Sequence, residues 1–420
     1  MARSADSSIL GAMTRILLLV PSRTYRTADF VAAAGALDVE VVVGLEERPA
    51  LAAVMGERWL ALSFTDVAAG NQAIVDYAHG HALDAVIPID DGSTLVAAAA
   101  AAALGLPHNR LAAVAASRNK ARTRELLAAA GLNTPRFRTW PADVDPEEVP
   151  SATFPVVVKP LDLAGSRGVI RADDPDELAA AFARVAAIVR SPDVCPPGEA
   201  PQRILVEDFI PGVEVALEGL LRAGRLEVLA IFDKPDPLDG PYFEETIYVT
   251  PSRLPAETQA LIAATTATAT RAIGLTEGPI HAELRLNEGG AWVLEVAARS
   301  IGGLCARTLR FGTGVPLEEL IIRHAAGLPL PSLEREHAAA GVIMLPIPRA
   351  GTLREVNGRT EAMAVRGIEG LAITIPPGGR VVPLPEGDRY LGFMFARAET
   401  PAEVEAALRE AQRRLDFVIE

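Results

Sequence analysis

Strand-length apolar segments near the amino end, spaced by stretches of helical pattern, restrict the chain to few folds. RILLLV from Arg15, then ADFVAAAGALD, then VEVVVG through Gly44 read as strand, helix, strand, and the pattern recurs with DAVIPID and the alanine-rich stretch behind it. Strands joined this way run parallel, and a parallel sheet needs helices over its faces. The first part of the chain is therefore predicted to be an α/β domain over residues 15–118, behind a disordered leader over 1–14. PSRTYRT follows the first strand in place of G-x-G-x-x-G, so no dinucleotide fingerprint is present.

The 420 residues are half apolar, enough for two or three domains. A net charge of −14 without any basic cluster argues against nucleic acid or an anionic membrane as partner. The densest apolar window, LVAAAAAAALGLP from Leu95, is alanine-rich and shorter than the ~18 residues of a membrane span, so it reads as a buried or amphipathic helix. The apolar run ILLLV between Arg15 and Arg23 is too short for a signal peptide. Cys195 and Cys305 lack ligand spacing and read as free thiols in a reducing cytoplasm, with no zinc site. His79 and His81 read as loop residues and His324 as a helix residue.

RNKARTRELLAAAGLNTPRF reads as a capped helix ending at Gly131. In TFPVVVKPLDLAGSRGVI a strand delivers Lys159 to a loop holding Gly165, Ser166 and Gly168, after which Asp174 caps a helix with Pro175 in its first position. Small residues let backbone N–H groups close on phosphate oxygens, and a lysine adds charge; a flexible connecting loop is the plainer alternative. In ILVEDFIPGVEVALEG the strand end is expected to expose Glu207, and the chain turns at Pro211 and Gly212 before Glu214. Acidic groups there suit an adenine amino group and ribose hydroxyls, or are simply a charged turn. Short strands follow Gly341, and PAEVEAALREAQRRLDFVI is expected to be the final helix.

HAELRLNEGGAWVLEVAARS, residues 281–300, reads as a β-hairpin with a three-residue loop over 288–290. That register places Glu283 opposite Glu295, with His281, Glu283, Arg285, Glu295, Ala297 and Arg299 on one face. Opposed carboxylates sit about 5 Å apart and repel. A divalent ion such as Mg²⁺, bridging them to substrate phosphates, would remove the repulsion; alternatively both face solvent, with Arg285 damping the charge.

Taken in order, NKARTRELLAAAGLNTP, FPVVVKPLDLAGSRGV, VEDFIPGVEV, HAELRL and VLEVAARSIGG resemble the ATP-grasp superfamily of carboxylate–amine ligases. The resemblance implies an α/β and α+β chain: a Rossmann-like pre-ATP-grasp domain, ATP-grasp parts over 119–203 (with the lid) and 204–330, and a small α+β domain over 331–420. It implies ATP and Mg²⁺ (or Mn²⁺) as cofactors. Lys120 and Lys159 would bind nucleotide phosphates, under a mobile loop at Gly165, Ser166 and Gly168. Glu207, Phe209 and Ile210 match the adenine linker, Glu214 the ribose acceptor and Glu283 and Glu295 the metal ligands. Lys159 and Arg299 match catalytic charges that stabilise the transferred phosphoryl group.

Many members carry Asn where this chain has Ala297, and E-x-A-A-R before S-I-G-G is similar to the bacilysin-type L-amino-acid ligase branch. In that branch His281, Lys234, Glu245, Ser300, Gly302 and Gly303 would face substrate, His281 either as general base or as a positioning group. The implied reaction joins a small-molecule carboxylate to an amine, both expected to be amino acids, through an acyl phosphate, in the cytoplasm and in a possible homodimer. A bicarbonate-activating enzyme of the biotin-carboxylase or carbamoyl-phosphate kind, and a non-catalytic ATP-binding regulator, are the alternatives.

Overall fold

A computed structural model of the chain describes residues 13–22, 24–50, 52–150, 153–195 and 200–420. Most of the expected leader lies outside them, as does part of the proline-rich loop after Ser191. The chain forms two units, one of residues 1–107 with 318–330 and one of 108–317 with 331–420.

In the first unit, β1 (Arg15–Val20), β2 (Glu40–Leu45), β3 (Trp59–Ala61) and β4 (Ala85–Pro88) form a parallel sheet in the order β3-β2-β1-β4. Leu17, Leu19 and Val42 are fully buried with Ile74 and Val96 from helices Val67–Gly80 and Thr94–Ala103. The alanine run thus forms a buried helix, whose small side chains let it lie close against the sheet. Glu318, carried back to this unit by the helix Leu317–Ala325, meets Arg26 at 3.2 Å, and Arg26 also donates to the Ile89 carbonyl.

The second unit holds two antiparallel sheets that carry the site. One is small, ordered β5 (Phe137–Trp140), β8 (Ile204–Asp208), β6 (Val156–Pro160) and β7 (Ile170–Ala172), with helix Pro175–Val189 packed on it through Phe182, Val185 and Val189. The Asp174 side chain caps that helix by accepting from Glu177 N at 2.9 Å, as the sequence predicts. The other sheet has eight strands. Its first five run β13 (Gly290–Ala297), β12 (Gly278–Asn287), β9 (Val213–Arg222), β10 (Arg225–Asp233), β11 (Ile247–Thr250), followed by strands Ala339–Leu345, Gly392–Ala398 and Ile368–Ile373.

Two local expectations are corrected. The last helix stops at Gln412, and Asp416–Ile419 forms a strand paired with Gly351–Asn357, since Phe417 and Ile419 are worth more inside the apolar cluster there than in a final helical turn. In the hairpin Asn287 pairs with Gly290, so the loop is Glu288–Gly289 and not three residues. A register shift between Glu283 and Leu284 compensates, with Leu294 as the extra residue, and Glu283 still faces Glu295.

Candidate active site

Lys159 and Glu207 sit diagonally across β6 and β8, where Val157 pairs with Glu207 and Lys159 with Leu205. Their side chains form an ion pair, and Arg124 from helix Lys120–Ala129 grips the same carboxylate through Nε at 3.0 Å and Nη2 at 3.2 Å. Glu207 is only 3% exposed, so the strand end does not present it to solvent as expected. The sequence shows that β8 ends there but not that Arg124, on another element, folds over it. Burial pushes the Glu207 carboxyl up, but Arg124 and Lys159 outweigh this and hold it at about 2. Burial, with Arg124 and Lys120 nearby, lowers the Lys159 ammonium despite its partner. Two cations, Arg124 and Lys159, share one carboxylate, which leaves positive charge uncompensated there.

Lys120 opens its helix behind the Asn119 cap and joins two further elements. Its Nζ donates to the Leu163 carbonyl at 2.8 Å and lies 3.8 Å from Glu295 Oε2. The loop after β6 holds Gly165, Ser166 and Gly168 at φ of +64°, +55° and +72°, and Gly168 N donates to the Pro385 carbonyl at 2.8 Å. A Cβ at Gly168 would meet Pro160 at 2.9 Å, so that position needs glycine for space as well as for φ.

The sheet registers explain the rest. Arg285 pairs with Glu214, Glu283 with Ala216 and His281 with Glu218 across β12 and β9, while β10 ends beside Glu214 so that Lys234 follows at that level. Lys234 Nζ is 2.8 Å from Glu214, 2.6 Å from Glu245 and 3.1 Å from Glu283. These three glutamates bring carboxylate oxygens within 4.8 Å of one another, around the Lys234 ammonium. Burial pushes Glu245 up to about 7, against Lys234 and with Glu283, and Tyr248 donates to it at 2.5 Å. The other oxygen of Glu214 takes Arg285 at 3.0 Å; that guanidinium also donates to the Ile210 carbonyl at 2.8 Å and stacks 4.9 Å from Phe209. Arg285 thus supports the linker from behind and does not screen the glutamate pair.

His281 lies between Glu218 at 3.2 Å and Glu283 at 3.4 Å. Burial lowers its pKa, but the two carboxylates raise it to about 9, so the ring is an imidazolium at neutral pH. Glu218 also accepts from Ile301 N at 3.1 and 3.0 Å, which fixes the Ser300–Gly303 segment to β9. Sequence reasoning misses Glu218, Arg124 and Tyr248; the alternation of β9, which puts Glu214 and Glu218 on one face, is the signal available for Glu218. Arg299 is buried, with Nη1 donating to the Ser300 carbonyl at 2.9 Å, and a Cβ on Gly302 would lie 3.9 Å from that nitrogen.

Residues 152–308 match the model of the ATP-grasp domain, and residues 343–420 match L-amino acid ligase C-terminal domain 2. The crystal structure of an L-amino acid ligase from Bacillus licheniformis superposes with a TM-score of 0.79 at 26% identity, covering 97% of this chain and 99% of that one. A D-alanine–D-alanine ligase from Aromatoleum aromaticum is 31% identical over 188 residues, 44% of this chain and 57% of its own length. The alanine–anticapsin ligase of Bacillus subtilis is 26% identical over 200 residues, 43% of this chain and 42% of its own length. The matched region thus spans about half the length of these two curated relatives. The chain thus carries an ATP-grasp domain followed by an L-amino acid ligase C-terminal domain. Among ATP-grasp proteins, the bacilysin-type L-amino-acid ligase branch is the one it is similar to.

Proposed function

We propose that the chain is an ATP-dependent carboxylate–amine ligase that joins two amino acids and releases ADP and phosphate. The observation that carries this reading is the cluster of cations Lys159, Arg124 and Lys120 beside the opposed Glu283 and Glu295, in a chain whose carboxyl end matches the L-amino acid ligase domain.

A divalent ion fits the hairpin. Glu283 and Glu295 are directly opposite and offer only hard oxygen donors, which suit Mg²⁺ or Mn²⁺. Of Glu214, Glu245 and Glu283, which share the Lys234 ammonium, Glu283 has the longest contact, 3.1 Å, and is the one that faces Glu295. Mg²⁺ held by Glu283 and Glu295 would neutralise phosphate charge.

The side chains divide the remaining work. Lys159 and Lys120 hold the nucleotide phosphates, and the loop at Gly165, Ser166 and Gly168 covers them and keeps water out. Glu207 holds Lys159 in place. The linker of Glu207, Phe209 and Ile210 flanks the adenine and Glu214 faces the ribose. A substrate carboxylate oxygen attacks the γ-phosphorus, ADP leaves, and Arg299 stabilises charge on the transferred phosphoryl oxygens. The amine nitrogen then attacks the acyl carbon, expelling phosphate and losing a proton. His281, held between Glu218 and Glu283, positions Glu283. Lys234, Glu245 and the Ser300, Gly302, Gly303 segment line the amino-acid side. The bicarbonate-activating and regulator readings have no feature here that favours them over the ligase reading.

The test is ADP release with MgATP and the twenty proteinogenic L-amino acids, singly and in pairs, with product masses. Sustained turnover that needs two amino acids and yields a mass one water below their sum supports the ligase; ATP binding without turnover supports a regulator instead.

A further inference from the structure

Tyr390 lies just ahead of strand Gly392–Ala398, and its hydroxyl is buried with no hydrogen-bond partner among the described residues. Such a group costs about 1–3 kcal/mol unless something satisfies it. The side chain has little freedom to escape. The Thr374 hydroxyl donates to the Tyr390 carbonyl at 2.7 Å, and the ring packs edge-on against Phe393 with centroids 5.8 Å apart. Phe393 in turn lies against Gly303, where an added Cβ would come within 2.7 Å of the ring. A chain of rigid contacts therefore runs from Tyr390 to the segment that follows Arg299.

The strand registers bring Tyr390 to the amino-acid side of the site. Met344 N donates to the Thr246 carbonyl at 2.7 Å, and Leu391 N donates to the Leu345 carbonyl at 2.9 Å. Glu244, Glu245 and Tyr390 thus lie at one end of three neighbouring strands. Burial first, then the carboxyls of Glu245 and Glu244, pushes the phenol well above its ordinary pKa, so it remains a neutral hydroxyl with lone pairs to offer. Lys234 and Tyr248 both bond Glu245 through Oε1, and an incoming ammonium group has three N–H donors for the oxygens around it.

We propose that Tyr390 is a specificity-determining residue that contacts the ammonium group of an amino-acid substrate together with Glu245. This rests on the ligase reading above. Tyr390→Phe removes only the hydroxyl oxygen and keeps the ring packing, so the protein should fold and melt no lower than the parent.

Steady-state kinetics would use the amino-acid pair with the highest ADP release in the screen of the twenty. In Tyr390→Phe the KM of the amino acid that supplies the carboxylate, whose own amino group stays an ammonium throughout, should rise roughly tenfold or more, the loss expected for a hydrogen bond to a charged group. The KM values for ATP and for the other amino acid should stay within about twofold, since neither contact is touched. The desamino analogue of that carboxylate-supplying amino acid, which keeps the reacting carboxylate and lacks only the ammonium group, should be used equally by both proteins. Unchanged amino-acid KM values, or a rise shared equally by ATP, would overturn the contact while leaving the ligase reading intact. Absence of amino-acid-dependent ADP release by the parent protein would overturn the ligase reading and the contact with it.

Discussion

Glu207 illustrates how far a single residue can be read from sequence. Its place at the end of an apolar strand is legible, but its neighbours are not, because Arg124 reaches it from a helix 83 positions away. With two cations fixed on it, its folded pKa of about 2 against 4.5 contributes stability that is complete above pH 4.5 and is lost as pH falls through 2. The shift corresponds to about 3 kcal/mol. Glu207→Gln strands Arg124 and Lys159 without their anion, so urea unfolding at pH 7 should show a loss of about 3–5 kcal/mol. The variant's stability should also vary less than the parent's between pH 4.5 and 2; an equally steep acid dependence would remove Glu207 as its source. Glu295→Gln makes the converse case. The carboxylate is partly exposed and lies 3.8 Å from Lys120, so the fold should tolerate the amide while Mg-dependent turnover falls at least about a hundredfold. Near-parental activity would refute the metal assignment.

Among the elements, the hairpin was legible where its side chains had to alternate and not where the backbone broke that alternation. Period-two patterning places Glu283 opposite Glu295, and the bulge at Leu294 then preserves that pairing despite the shorter loop. The charged row of Arg285, Glu214, Lys234 and Tyr248 was not legible, since it needs the pairing of β12, β9, β10 and β11, which local pattern does not give. The loop after β6 is also held from a distance. Gly168 N donates to Pro385, and the neighbouring Glu386 binds Arg184 of helix Pro175–Val189 at 2.5 and 2.9 Å. Trypsin cutting after Arg167 attacks the very peptide bond whose nitrogen Pro385 holds. The Arg184–Glu386 pair is 42% exposed on each side, so screening limits it to about 1 kcal/mol or less. Glu386→Gln should therefore speed cleavage after Arg167 by up to about fivefold, and 0.5 M salt should raise the parent rate toward the variant's. Equal rates, followed by the appearance of the fragment beginning at Gly168, would show that this pair does not hold the loop.

At the scale of the whole chain, the βαβ alternation identifies the first unit's parallel sheet but not the segment that completes it. Residues 318–330 return to that unit after an excursion of 210 residues, from 108 to 317, a long-range closure that no local periodicity encodes. The tie is Arg26 with Glu318, 1% and 3% exposed, and Arg26 also stacks over Phe30 at 5.0 Å. Removing one partner of such a pair leaves a buried charge uncompensated, whereas removing both costs far less. Glu318→Ala and Arg26→Met should each lower stability by about 3–5 kcal/mol in urea unfolding, and the double variant should fall well short of the sum of the two losses. Additive losses would mean that the two side chains act independently and that the returning segment is held by its apolar contacts alone. Because the excursion contains the ATP-grasp residues, loosening this closure should leave tryptic cleavage after Arg167 unchanged, which separates the stability of the first unit from the state of the loop after β6.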